Sequence, residues 1–272
     1  MTPFKNIMAV FKLLAKTNCR KCDEPTCLAF AAAVFQGRRS LEACPHIDPD
    51  VAGQYGRKSI RDRADAAATA QMEELLGPFR AQMRSVDFKA AAERLDGRFV
   101  NGRLTIKILG KDFSVDADGC LYSDIHIHEW IALPFFQYIL EGQGVPPSGR
   151  WVPLRELDNG KDWDQFFIHR CEKPLKRMAD TYTDLFEDMI HLFNGRPVEK
   201  HYQSDISLVL HPLPKLPMLI CYWKEDEGLD SSLNIFFDAR AERNLPIESI
   251  YRLAAGLVQM FEKLAVRHGL SN

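Results

Sequence analysis

The sequence predicts an α+β protein in two unequal parts. A small helical module spans residues 1–48, a linker and helix follow over 49–85, and residues 86–272 form an α+β domain with a largely antiparallel sheet. Three observations carry this expectation. Four cysteines fall between positions 19 and 44, flanked by short apolar segments at helical spacing. Residues 48–70 (DPDVAGQYGRKSIRDRADAAATA) are rich in charges and small residues and lack a consistent apolar face, as a linker does. Beyond them, strand-like and helix-like segments alternate irregularly, which favours α+β over a βαβ repeat.

In chain order, Phe4, Ile7, Met8, Phe11 and Leu14 fall on one face at 3.6-residue spacing and predict an amphipathic first helix. Lys12 interrupts its apolar stretch and no small-residue cleavage site follows, so a signal peptide is not expected. A second helix is predicted over Thr26–Gln36, ended by Gly37, and a third near Ala66–Met83. RFVNGRLTIKI reads as two strands joined at Asn101-Gly102, the dipeptide that best supplies a type I′ turn. A strand over Asp112–Asp116 follows Gly110. Helices are predicted over Glu129–Glu141 and Pro174–Phe193, the second with Gly195 past its end. Strands are predicted over Ile206–Leu210, Pro217–Trp223 and Leu233–Phe237. A last helix starting at Pro246 should bury Ile250, Ala254, Leu257, Phe261 and Leu264.

Hydrophobic residues make up 46% of the chain and charged residues 26%, so it can bury a real core. A net charge of −2 argues against general affinity for nucleic acid or anionic membranes. The longest apolar run, Trp130–Leu140, contains Pro134 and Gln137 and falls far short of the roughly 20 residues of a membrane span. A cytoplasmic protein is expected. Seven cysteines, an odd number, do not suggest a disulfide framework.

The spacing Cys19-x2-Cys22-x4-Cys27-x16-Cys44, with Pro45 after the last cysteine, places three thiols on one turn and returns a fourth after a helix. That suits a [4Fe-4S] cluster, each of whose irons takes one thiolate. The second helix would start beside Cys27, aiming free N–H groups and its positive dipole end at the sulfurs. Lys16, Arg20, Lys21, Arg38 and Arg39 surround the segment. A unit charge about 7 Å away, at an effective dielectric near 20, is worth roughly 2 kcal/mol, or on the order of 100 mV. These cations would tune the cluster and dock an acidic partner. Structural zinc, a [2Fe-2S] cluster and inert buried thiols compete as readings. Zinc usually takes two close pairs, and the plant-type [2Fe-2S] order puts the four-residue gap first.

The stretch LLAKTNCRKCDEPTCLAFAAAVFQGRRSLEACP resembles the four-cysteine iron-sulfur domain of the corrinoid iron-sulfur protein large subunit and of the Rnf electron-transport complex B subunit. The resemblance includes Thr17-Asn18, Pro25, Leu28 to Ala31 and Cys44-Pro45, and implies Cys19, Cys22, Cys27 and Cys44 as [4Fe-4S] ligands. Relatives usually carry glycine after the second cysteine, where this chain has Asp23. Aspartate tolerates left-handed φ, while its charge lowers the potential. GRWVPLREL (149–157), PLPKLPMLICYWKEDE (212–227) and LNIFFDARAERNLPIESIYRLA (233–254) resemble a family catalogued only as a domain of unknown function, which often follows this module in anaerobes. It supplies a domain and no chemistry. After its acidic pair, relatives tend to have a Phe-Pro-Ala-like stretch, where this chain has Gly228-Leu229-Asp230 after Glu227.

Other candidates rest on the residues alone. In DIHIHEW, Asp124, His126, His128 and Glu129 offer metal-ligand types, with both histidines on one face if the tract is a strand; exposed strand histidines are the blander reading. The tract also resembles the Asp-x-His-x-x-Gly corrinoid motif, with Glu129 in the glycine position. Glu225, Asp226, Glu227 and Asp230 form an acidic turn that could join Asp238 around a cation. Cys171, Cys221, Trp151, Trp163 and Trp223 read first as core, and Cys120 precedes the histidine tract. No P-loop, dinucleotide fingerprint or Ser-His-Asp signature appears, so enzymatic activity is left open. The expected function is low-potential electron transfer, or reductive activation of a partner in a corrinoid or other anaerobic system, between a redox donor and an acceptor protein. The alternative is an enzyme or binding protein whose C-terminal domain holds its own small molecule or metal, with the cluster as electron source or structural element.

Overall fold

The computed structural model describes residues 4, 6–36, 38–48, 51–52, 60–182 and 184–268; within the helices, the side chains of 60–71 and 266–268 fall outside the description. Contacts divide the chain into two units, Met1–Leu75 and Leu76–Asn272. The architecture is α+β, a small helical unit followed by one with two antiparallel sheets.

In the first unit, α1 (Ile7–Phe11) is only five residues long, opened by Asn6, whose side chain accepts from the Ala9 N–H at 2.9 Å. So short a helix cannot present the five-residue face expected from periodicity. Phe4, Val10 and Leu14 are buried, while Met8 is 50% exposed. α2 (Cys27–Phe35) begins after Thr26, whose hydroxyl accepts from the Ala29 N–H. It ends at Gln36; the expected cap Gly37 lies outside the described residues. A 3-10 turn, Leu41–Ala43, capped by Ser40, leads into Cys44. Phe30, Ala31, Val34 and Leu41 join Val10 and Leu14 in one core.

α3 (Ile60–Met83) starts six residues before the expected position, so part of the presumed linker is helical; the division between units falls within it. α4 (Phe88–Arg94) is capped by Asp87 and lies by the first sheet, where Phe88 meets Phe99 edge-on at 5.9 Å. That sheet is a meander of β1 (Arg98–Val100), β2 (Arg103–Ile108), β3 (Lys111–Asp116) and β4 (Leu121–Ser123). Asn101 (φ 52°) and Gly102 (φ 75°) form the expected two-residue turn. The next hairpin turns on Leu109 (φ 49°) and Gly110 (φ 78°). Here a buried leucine takes the left-handed position, and its N–H donates to the His211 carbonyl at 3.2 Å. Leu104, Ile106, Ile108, Phe113 and Val115 alternate inward. Phe113 meets Phe135 of α5 (Glu129–Glu141) at 4.7 Å.

The second sheet runs β5-β9-β8-β7-β6, all antiparallel. Its strands are β5 (Trp151–Pro153), β6 (Arg196–Pro197), β7 (Ile206–Leu213), β8 (Leu216–Trp223) and β9 (Ser232–Asp238). β8 is buried along nearly its whole length, as a central strand covered on both faces must be. α6 (Gly160–Phe167) runs through a π-turn, Ile168–Glu172, into α7 (Lys173–Thr181). The helix expected over Pro174–Phe193 is broken: Tyr182 is extended, and α8 (Leu185–Phe193) begins afresh. The Tyr182 hydroxyl, turned back onto Asp188 at 2.6 Å, holds the break.

α9 (Ile247–His268) starts just after Pro246 and buries Ile250, Ala254, Leu257 and Phe261, with Leu264 only half-buried and Ala265 inside instead. No described helix is long and apolar enough to cross a membrane. Lys215, at the β7–β8 turn, knots distant segments together. Its ammonium donates to the carbonyls of Arg94 (2.7 Å) and Gly144 (2.9 Å) and pairs with Asp96 at 3.4 Å.

Candidate metal centre

Residues 15–26 form an irregular loop between α1 and α2, where Lys16, Asn18, Arg20 and Asp23 all have left-handed φ, between 50° and 60°. Such alternation curls the chain tightly and turns successive N–H groups inward. Asp23, at φ 60°, takes the conformation for which glycine is the usual residue.

Cys22, Cys27 and Cys44 are at most 9% exposed and share the core of the first unit, and Cys19 is half-buried. Cys19 is held below the ordinary thiol range, first by a hydrogen bond from the Lys21 backbone N–H and then by one from the Thr17 hydroxyl. Both favour the thiolate. Cys27 opens α2; its N–H donates to Asn18 Oδ1 at 2.8 Å, and the Asn18 N–H donates to Cys27 Sγ at 3.3 Å. Cys44 arrives through the 3-10 turn, its N–H on the Leu41 carbonyl at 3.1 Å. All seven cysteines are free thiols.

The donor set is four soft sulfurs, which suits iron-sulfur clusters or zinc and disfavours hard cations. Among the described residues, no group of three or more His, Cys, Asp or Glu is gathered around a single metal position. A cubane cluster spreads its thiolates over four separate irons, so its ligands need a common pocket and not a common point. The shared core of Cys22, Cys27 and Cys44 fits that requirement, while Cys19, half-buried on the same loop, stands outside that core.

Of the surrounding cations, Arg39 pairs with Asp23 (3.8 Å) and Glu24 (3.9 Å), and the Lys16 ammonium stands 5.5 Å over the Phe11 ring. Arg20, Lys21 and Arg38 are exposed.

The remaining candidates separate. Residues 124–128 are a bend and loop, not a strand, because the chain must turn from β4 into α5; yet His126 and His128 meet edge-on at 4.3 Å. His128 is pushed below the ordinary imidazole range by burial, then by His126 and Lys263. Asp124 and Glu129 do not complete a metal-holding group with them. The acidic turn is a tight loop, with Asp226 and Leu229 exchanging backbone hydrogen bonds. Asp238 is buried, its carboxylate accepting from Ser148, Gly149 and Arg240. Cys171 and Cys221 are fully buried and raised by burial, and Cys120 is exposed. Trp151 and Trp223 pack on a small apolar cluster with Cys221, and Trp163 meets Tyr251 at 4.9 Å. Sequence reasoning gave Asn18 no individual role. The available signal was an asparagine, a residue that tolerates left-handed φ, immediately before the first of the four cysteines.

Residues 14–46 match the family model described as "Putative Fe-S cluster". Over 79 residues the chain is 35% identical to the "Corrinoid/iron-sulfur protein large subunit" of Moorella thermoacetica, covering 28% of this chain and 16% of that protein. It is 44% identical over 43 residues to the "Acetyl-CoA decarbonylase/synthase complex subunit gamma" of Methanothermobacter thermautotrophicus, covering 16% of this chain and 9% of that one. The corresponding subunit of Methanocaldococcus jannaschii is 45% identical over 41 residues, 15% of this chain and 8% of that one. The chain thus spans less than a fifth of the length of these relatives. No solved structure matches it significantly. The iron-sulfur module is followed by a second match, over residues 87–260, which is more than half of the chain; the protein belongs to the family described as Domain of unknown function (DUF3786).

Proposed function

We propose that residues 1–48 hold a [4Fe-4S] cluster through Cys19, Cys22, Cys27 and Cys44, and that the protein carries low-potential electrons to a partner engaged by the domain of residues 86–272. The observation that carries this reading is the convergence of Cys22, Cys27 and Cys44 in one core, with Cys19 three residues before Cys22 on the same loop. When bound, such a cluster supplies reversible one-electron transfer. The chain's own residues then do three things. The burial of three sulfurs limits water, which keeps the cluster from losing iron. The opening of α2 and the Asn18 N–H place partial positive charge against Cys27. Exposed Arg20, Lys21 and Arg38 offer an acidic donor protein a docking surface.

The relatives are subunits of corrinoid and acetyl-CoA decarbonylase/synthase proteins. This supports a role in an anaerobic system of that kind, in the cytoplasm, with a redox donor and an acceptor protein as partners.

Anaerobic purification tests the reading. Brown protein with close to four irons per chain and an EPR signal after reduction is expected; a colourless zinc protein from the same preparation sinks it.

A further inference from the structure

The residue that fixes Cys27 is Asn18. Two contacts join them in opposite senses: the Cys27 N–H donates to Asn18 Oδ1 at 2.8 Å, and the Asn18 N–H donates to Cys27 Sγ at 3.3 Å. A pair of reciprocal bonds across nine residues closes the loop, and neither partner can swing without breaking one of them. The first satisfies an N–H that the opening of α2 leaves without a helical acceptor. The second sets a backbone dipole against the sulfur. A hydrogen bond to sulfur stabilises negative charge there and is a lever on cluster potential.

The backbone explains why asparagine stands here. Asn18 lies at φ 50°, a conformation open mainly to glycine, asparagine and aspartate. Glycine has no acceptor. Of the three, asparagine alone combines left-handed φ with a short neutral acceptor beside a site that gathers negative charge.

We infer that Asn18 is a positioning residue: it orients the Cys27 thiolate toward the cluster and raises the cluster's reduction potential. The inference rests on the iron-sulfur reading above. Asn18 need not touch the iron, since it acts through Cys27.

The test compares the full-length wild type with Asn18→Gly and Asn18→Asp, all purified anaerobically. Each is measured for iron per chain, midpoint potential by EPR-monitored titration, and rate of iron release to a chelator. Asn18→Gly keeps the left-handed backbone and removes the acceptor. With that tie gone the loop loosens and its own N–H leaves Cys27 Sγ more of the time, so its potential should become more negative, and its iron release should quicken about fivefold, the worth of one neutral hydrogen bond. Asn18→Asp keeps the acceptor, so its release rate should return close to wild type while its charge lowers the potential.

An Asn18→Gly protein with wild-type potential overturns the inference, because a purely structural role leaves the potential unmoved. If Asn18→Gly holds no cluster, Asn18→Asp decides: retention supports the acceptor role, and equal loss overturns it. A wild type without any iron-sulfur cluster overturns the underlying reading instead, which is a distinguishable failure.

Discussion

Replacing Asp23 by glycine should raise the reduction potential of the bound cluster. Asp23 follows Cys22 directly, and its carboxylate is 82% exposed. Taking it as about 8 Å from the cluster, one charge is worth roughly 0.5 kcal/mol at the dielectric of water and about 2 kcal/mol at an effective dielectric of 20. These correspond to about 20 and 90 mV for one electron. The exposure, together with Arg39 standing 3.8 Å from the carboxylate, pulls the expectation to the lower part of that range, about 20–50 mV. The backbone adds little. Glycine relieves the left-handed φ of 60° but loses more entropy on folding, so stability should change by less than about 1 kcal/mol. The assay is a mediated redox titration followed by EPR at low and high salt, with Asp23→Asn as the control that removes charge and keeps left-handed tolerance. Both variants should rise together and converge on wild type as salt screens the charge. A rise in the glycine variant without one in the asparagine variant would refute the electrostatic argument.

Three further outcomes are expected. Cys44→Ser should lose or convert the cluster, whereas serine at Cys120, which is exposed, or at Cys171 or Cys221, which are buried outside the first unit, should leave iron content near wild type; full iron in Cys44→Ser with loss in Cys120→Ser would reverse the ligand assignment. Lys215→Met leaves two carbonyls and Asp96 without their shared cation and should cost about 2–4 kcal/mol, read as a fall of about 5–12 °C in thermal midpoint; a fall under about 2 °C would mean that the knot carries little stability. Glu172, a half-buried carboxylate accepting from the Ile235 N–H at 2.9 Å, is raised above the ordinary range chiefly by burial. Its folded form binds a proton more tightly than the unfolded chain does. The penalty of ionising it is therefore fully present above the raised folded value, and is relieved as pH falls through that value toward about 4.3. Glu172→Gln keeps an acceptor and should flatten this part of the pH–stability curve in urea titrations; an unchanged curve would show that Glu172 does not contribute to it.

The parts of the fold that were legible in the sequence are those set by local chemistry. Asn101-Gly102 specifies its own turn, and the apolar run from Trp130 between Glu129 and Glu141 gave α5 to the residue. What escaped depends on distant partners. β5 is three residues long and exists because Trp151–Pro153 pairs with Phe236–Asp238 some 85 positions away. The break at Tyr182 lies within a sequence whose periodicity continues across it, and a side-chain bond to Asp188 sustains it. At the candidate metal centre the four thiols stood out because cluster chemistry asks for one residue type at fixed spacing. The Asn18 clamp was not, since half of it is a backbone N–H and leaves no trace in composition.

The first two of the three hairpin turns in the first sheet differ in what they leave open to a protein engineer. A side chain built at Gly102 would meet nothing within 4 Å, although the φ of 75° there still demands glycine, and Asn101 beside it is exposed. At Gly110 it would run into the Asn194 side chain at 2.8 Å, and the preceding Leu109 is bonded to the strand bearing His211. The first turn thus has the more room for an affinity peptide, provided that the glycine is kept. The second is a rivet between layers, and lengthening it would separate the meander from β7.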